Sequence, residues 1–173
     1  MGPTVANDYN FVESYKKDFQ SVLNFLNFQS NGMAGVTVET PKEQIAEKME
    51  MKYEHSAMDL QYFTSKPFRY GNVYGEMFVA TRTGRPIIIG VKYEENSKDF
   101  FQTLTQKLQS MGTVKESDDD LFEVEFSDGN HIFVFEKYDT YVFFSRWDTN
   151  SEGVRNGIKD GSIKLLFDSI FDQ

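Results

Sequence analysis

The chain has 173 residues and a net charge of −9, with two histidines and no cysteine. This acidic balance argues against nonspecific binding to nucleic acid or to an anionic membrane, because both reward clustered lysine and arginine. Without cysteine there is neither a disulfide framework nor thiol chemistry. Hydrophobic residues make up only 39%, but 17 phenylalanines and 9 tyrosines bury much area per residue, so we expect a folded chain.

We expect a single domain over residues 1–173, with residues 1–8 disordered. No internal repeat or shift in composition marks a second domain. No apolar run approaches the ~18 residues of a transmembrane span. The start of the chain lacks a charged segment followed by an apolar one, so no signal peptide is predicted. These features favour a cytoplasmic location, and a mature exported chain that has lost its signal is the alternative.

The N-terminal third predicts two helices. The first is capped by Asp8 and ends at Asn31-Gly32; its apolar stripe consists of Phe11, Tyr15, Phe19, Val22, Leu23 and Leu26. The second is predicted from Pro41 to about Glu54. It begins with a capping box in which Thr40 is the N-cap and Glu43 is the third helical residue.

The middle of the chain predicts strands. Apolar residues alternate over 58–62, which is typical of a short strand. The apolar runs Met77–Ala80 and Ile87–Val91 flank Thr83-Gly84-Arg85 and predict a hairpin. Pro86 follows the turn and indicates either an edge position or the start of a strand.

Two further helices are predicted in the second half. Ser97 opens the first, which ends at Gly112. Its apolar residues at helical spacing are Phe101, Leu104, Leu108 and Met111. The C-terminal helix is amphipathic, and its apolar residues are Ile163, Leu166, Phe167, Ile170 and Phe171.

Three strands are predicted between these helices: Phe122–Phe126, Ile132–Phe135 and Tyr141–Trp147. In the first, apolar residues alternate with Glu123 and Glu125, so one face is expected to be buried and the other acidic and exposed. The second is apolar on both faces, as in a central strand. Asp128-Gly129 predicts the hairpin between them.

The fold class that follows is α+β: an antiparallel sheet of about five or six strands with helices packed on it. The order helix-helix-ββ-α-βββ-helix is similar in topology to profilin-like and roadblock-like modules. Small acidic chaperones of bacterial secretion systems share the size and charge of this chain, but their strand order differs from the one predicted here.

The segment from Lys66 to Lys92 is basic, with a net charge of +4, and is interleaved with aromatic residues. Arginines beside aromatic rings are typical of surfaces that bind single-stranded nucleic acid or a protein partner, and the net charge of the chain opposes nucleic acid. We therefore predict a partner-binding surface made of Lys66, Phe68, Arg69, Tyr70, Tyr74, Arg82 and Arg85. The alternative is that this surface faces the acidic stretch from Lys115 to Asp128, which has a net charge of −6, and merely balances its charge.

No metal or cofactor site is predicted. The acidic stretch is interpreted as a solvated turn beside an exposed strand face. Asp148–Gly153 resembles the start of a calcium loop, but position 12 holds Lys159 where a bidentate glutamate is needed. Gly153, Gly157 and Gly161 are interpreted as a mobile connection before the last helix. His55 and His131 are each expected at the surface or half-buried, and no catalytic residue is predicted.

The leading hypothesis is a noncatalytic protein-binding or adaptor module, which is expected to bind neither nucleic acid nor membrane and not to be an enzyme. The alternative is a small-ligand-binding or enzymatic domain with a cleft lined by tyrosines and a carboxylate. The candidates for that cleft are Asp59, Tyr62, Tyr70 and Tyr74. The oligomeric state is left open.

Overall fold

The computed structural model describes residues 16–56, 59–146 and 151–172. Within these stretches the helices are α1 (16–26), α2 (Lys42–Ala46), α3 (Lys98–Gln109), α4 (Ser151–Lys159) and α5 (Ser162–Phe171). The strands are β1 (Gly32–Met33), β2 (Val36–Thr37), β3 (Glu50–His55), β4 (Leu60–Thr64), β5 (Phe68–Tyr70), β6 (Val73–Arg82), β7 (Arg85–Tyr93), β8 (Thr113–Ser117), β9 (Leu121–Glu125), β10 (His131–Lys137) and β11 (Asp139–Ser145). None of the described helices has the length and apolar character needed to cross a membrane.

In the described part of the chain, β3 to β11 form one antiparallel sheet of nine strands. Its order is β3-β4-β6-β7-β11-β10-β9-β8, and β5 pairs with the start of β6, beyond the end of β4. The α+β class is confirmed, but the prediction of five or six strands was too small. The missed strands β3, β5 and β8 are short or largely exposed, so they lack the apolar runs by which a strand is found in a sequence.

Both faces of this sheet are covered. On one face, α1, α3 and the small β1–β2 hairpin enclose a core that includes Ile132 and Val134 of β10. On the other face, α4 and α5 pack over Phe133 and Phe135 of the same strand. Alternate side chains of a strand point to opposite faces, so a central strand covered on both sides must be apolar throughout. The predicted central position of residues 132–135 is confirmed.

The predicted helix opened by Ser97 is confirmed as α3, but it ends at Gln109 and not at Gly112, so Met111 lies beyond it. The Ser97 side chain accepts a hydrogen bond from the Phe100 N–H, which caps the first turn. The residues of the helix that are buried against the sheet are Phe100, Phe101, Leu104 and Leu108. The predicted C-terminal helix is likewise confirmed as α5. The predicted start of the first helix at Asp8 and the predicted disorder of residues 1–8 both fall outside the described residues. The predicted end of that helix at Asn31-Gly32 is wrong, because α1 ends at Leu26.

The predicted second helix is wrong beyond Ala46. Pro41, not Thr40, occupies the N-cap position, and the Thr40 hydroxyl instead accepts a hydrogen bond from the Thr37 N–H. Residues 50–55 then form β3 and pair with β4. Helical spacing is a weak preference, and the backbone hydrogen bonds offered by β4 override it.

The two strands at the ends of the sheet order, β3 and β8, each contain a β-bulge at a lysine. Each shifts register against its neighbour at a lysine: Lys52 between Met51 and Tyr53, and Lys115 between Val114 and Glu116. A β-bulge and a lysine both oppose pairing with the edge of another sheet. These edges are therefore poorly suited to adding a further strand.

The glycines before the last helix do not form the mobile connection that was predicted. Residues 151–159 form α4, and Gly157 is buried where a Cβ atom would stand 2.7 Å from Ile163 Cγ1. Gly161, at a φ of 87°, makes the turn between α4 and α5. Small residues here allow the two helices to pack closely, which spacing alone does not reveal.

Leu104→Ala should lower the free energy of unfolding by about 2–5 kcal/mol, because it opens a cavity at a fully buried position of α3. Chemical denaturation measures this. Lys107→Ala, on the exposed side of the same helix, is the control and should change stability by less than ~0.5 kcal/mol. Equal effects of the two substitutions would contradict the packing of α3.

Candidate functional site

The seven residues predicted to bind a partner lie at two ends of β6. Lys66, Phe68, Arg69, Tyr70 and Tyr74 lie around its start, in or beside β5. Arg82 and Arg85 flank the turn at its far end. Because β6 has 10 residues, the two groups are about 30 Å apart. No single surface therefore contains all seven.

The group at the start of β6 belongs largely to the edge of the core. Phe68 and Tyr70 are partly buried and pack on Phe25, with ring centroids 5.0 and 5.1 Å from it. Arg69 Nη1 donates to the Tyr74 hydroxyl at 3.5 Å, and both side chains are exposed. The two partly buried rings thus have a structural role that needs no partner.

At the far end of β6, Arg82 and Arg85 meet a third arginine, Arg146. Together with Thr83 and Ile87 they line a concavity of about 310 Å³, which we call the arginine recess. Arg146 follows β11, the strand beside β7, and its N–H donates to the Ile87 carbonyl at 3.0 Å. Sequence reasoning missed Arg146 because only the pairing of β7 with β11 brings it to the hairpin.

The turn that carries the recess is held from two sides. Thr83 and Gly84 have φ values of 51° and 78°, the left-handed pair that a two-residue hairpin turn requires. The Gly84 carbonyl accepts from the Lys42 N–H at 3.2 Å, and the Thr83 N–H donates to the Asp59 carbonyl at 3.3 Å. The arginines therefore project from a fixed frame.

Residues 116–120 of the acidic stretch do not face the arginine recess. Glu116 pairs with Lys159 at 3.7 Å. Asp120 accepts at its carbonyl from the Glu136 N–H, at the opposite end of the sheet from Arg146. The residues that line the recess within the described chain include three arginines and no carboxylate. The recess is therefore a locally basic site.

The tyrosines and the aspartate of the alternative hypothesis do not form one cleft. Tyr62 lies half-buried in the middle of β4, against Tyr53, and burial is the main cause that raises its pKa. Tyr70 is at the edge of the opposite core, where burial also raises its pKa. Asp59 is beside the hairpin turn and Tyr74 is at the other end of β6.

A buried ionic cluster ties α4 to the sheet. Glu123, predicted to be exposed, is fully buried, and its Oε1 accepts from Arg155 Nε at 2.7 Å. His131, predicted to be at the surface or half-buried, is 1% exposed. Its Nδ1 lies 2.7 Å from Glu123 Oε2 without an aligned hydrogen bond, and its Nε2 lies 3.4 Å from Glu125 Oε2. The predicted acidic, exposed face of β9 is wrong because Arg155 covers it.

Arg155→Met should lower the free energy of unfolding by about 3 kcal/mol, because it leaves the buried Glu123 carboxylate without its guanidinium partner. Lys159→Met is the matched control on α4: its ion pair with Glu116 is partly exposed and contributes less than ~1 kcal/mol. Replacing Glu123 by Leu together with Arg155→Met should restore most of the loss. A double variant as unstable as Arg155→Met alone would contradict this account.

A second polar cluster holds α5 at the other end of the same face. The Asp168 carboxylate accepts hydrogen bonds from Tyr141 and Lys164, and Lys92 Nζ lies 3.4 Å from its Oδ1. Burial pushes the pKa of Asp168 upward, but the hydrogen bonds from Lys164 and Tyr141 and the charge of Lys92 outweigh it, so its pKa is lowered. Burial, followed by the hydrogen bond to Asp168, raises the pKa of Tyr141.

Asp168→Asn should destabilise the protein near neutral pH. A lowered folded-state pKa adds stability above the unfolded-state pKa, about 3.9, and that stability is lost as the pH falls through the folded-state value. The difference from wild type should therefore narrow below about pH 4. Urea denaturation from pH 7 downward measures it, with the exposed Asp119→Asn as control. A difference that does not change with pH would contradict the role of the charge.

The described residues include no group of three or more histidine or carboxylate side chains that could hold a metal ion. Ser151–Gly153 belong to the first turn of α4, while Asp148 lies outside the described residues. His55 is exposed at the end of β3. The arginine recess is thus the site with the clearest chemistry.

Comparison of the chain with protein-family models, with curated proteins and with solved structures finds no match. The likeness in predicted element order to profilin-like and roadblock-like modules therefore rests on the sequence pattern alone.

Proposed function

We propose that this protein is a noncatalytic binding module whose arginine recess holds an acidic segment of a protein partner. One observation carries the proposal: Arg82, Arg85 and Arg146, which come from the end of β6, the start of β7 and the residue after β11, line a single recess. In a chain with a net charge of −9, such a cluster is a strong local exception.

The chemistry of arginine suits this role. A guanidinium group is planar, stays charged, and can bind both oxygens of a carboxylate at once. Ile87 adds an apolar side chain to the lining of the recess. The hydrogen bonds that hold the turn at Gly84 and Thr83 fix the backbone beneath the arginines, so binding requires little ordering of the protein.

The charge of the rest of the chain shapes the same interaction. An acidic partner is repelled at long range by the net negative charge and attracted only near the recess. Such an arrangement favours binding of an acidic partner at the recess over nonspecific binding elsewhere on the surface. Because the attraction is electrostatic and exposed, added salt should weaken it.

The variant Arg85→Glu/Arg146→Glu should abolish binding of a glutamate-rich peptide, measured by fluorescence anisotropy at low salt. Both arginines are exposed, so stability should change by less than ~0.5 kcal/mol each. The control, Lys107→Glu/Lys115→Glu, changes the net charge by the same amount at exposed positions away from the recess. It should retain binding apart from a modest general loss.

The same two double variants should also separate specific from nonspecific partners when each is used, beside the wild type, to capture proteins from an extract of the native source. A partner that the wild type and the lysine control retain, and the arginine variant loses, supports the proposal. Equal loss in both variants would mean that net charge alone governs binding. Unchanged binding in the arginine variant would place the interface elsewhere.

A further inference from the structure

A break in the strand row beside β6 opens a second recess, unrelated to the arginines. β4 ends at Thr64 and β5 begins at Phe68, although both pair with β6. Where this break meets α1, α2 and the β1–β2 hairpin lies an apolar slot of about 300 Å³. Its apolar side chains include Phe25, Val36, Ile45, Met49, Phe68 and Met77.

The slot is a gap in the cover of the core. Phe25, Val36, Met49 and Phe68 pack against the core yet stay only partly buried, whereas Ile45 is 2% exposed. Methionine side chains adapt to the shape of what they contact, which suits a site that closes around a flexible chain. The volume is at the lower end of that of small-ligand sites, which are mostly apolar with a few polar groups.

The slot opens into a wider polar vestibule of about 710 Å³, and the two share Lys48, Met49, Ser65 and Phe68. Of the described residues that line the slot itself, Lys48 is the one charged side chain. The Ser65 hydroxyl accepts from the Met77 N–H at 2.9 Å and donates to the Lys66 carbonyl at 3.0 Å. The Lys48 ammonium is therefore the group placed to meet an anion at the mouth of the slot.

The wider vestibule limits how much negative charge a ligand can carry. Its described lining contains equal numbers of lysines and glutamates: Lys48, Lys52, Lys66, Glu47, Glu50 and Glu76. A polyanion would meet these carboxylates, and a cation would meet Lys48 first. A hydrocarbon body with a single negative charge satisfies both the slot and its mouth.

We propose that this slot binds a small amphipathic monocarboxylate, with its hydrocarbon chain among the apolar side chains and its carboxylate at Lys48. The proposal is independent of the arginine recess, so either can fail without the other.

The test is titration of the whole protein with octanoate, octan-1-ol and acetate, followed by amide NMR shifts and calorimetry. Octanoate should bind saturably, with shifts at the slot, and acetate should not. Lys48→Gln should weaken octanoate about fivefold, as expected of a partly exposed ion pair, and leave octan-1-ol unchanged. Lys107→Gln, at an exposed position of α3, is the matched control and should change neither.

Two occluding variants locate the site. Val36→Trp and Gln44→Trp should each abolish binding of octanoate and octan-1-ol; Gln44 is exposed, so that variant should fold even if the first does not. Val114→Trp, on the edge strand β8, should leave binding intact. The proposal is overturned if octanoate does not bind, if Lys48→Gln weakens octan-1-ol as much as octanoate, or if Gln44→Trp has no effect.

Discussion

Burial of both faces of β10 and β11 is the constraint on which the rest of the structure depends. Residues 131–135 and 140–145 are buried without interruption, so each strand presents apolar surface to both sides of the sheet. The rings interlock across the pair: Phe133 and Phe143 stack at 5.0 Å, and Phe135 and Tyr141 at 4.6 Å. Such surface cannot remain in water, so helices must cover it on both faces.

The helices on the two faces of the sheet are held by different interactions. The face of α1 and α3 is almost entirely apolar, whereas the face of α4 and α5 combines stacked rings with two polar clusters. Glu123 with Arg155 anchors α4, and Asp168 with Lys92 anchors α5. Ion pairs withdrawn from water, fully at Glu123 and in part at Asp168, contribute little net stability but penalise any arrangement that separates them. They therefore act chiefly to set where α4 and α5 lie on the sheet.

Both proposed sites lie where this covering stops. The arginine recess is at the ends of β6, β7 and β11, beyond the last stacked rings. The apolar slot lies where β4 gives way to β5 and the core on that face is incompletely closed. The edge strands offer less, because bulges at Lys52 and Lys115 disrupt the regular spacing that a further strand needs. Both proposed binding sites are thus at the margins of a tightly packed sheet.

Elements that depend on neighbouring residues could be predicted from the sequence, and elements that depend on distant ones could not. The cap at Ser97 with its apolar stripe specifies α3, and Thr83-Gly84 specifies the β6–β7 turn. Residues 50–55 have helical spacing but form a strand, because the free edge of β4 supplies the hydrogen bonds. Only the packing of α4 buries Glu123, and only the pairing of β7 with β11 brings Arg146 to Arg82 and Arg85. Local preference amounts to a fraction of a kcal/mol per residue, roughly, while burial and strand pairing act over many residues at once, so tertiary structure decided the candidate sites.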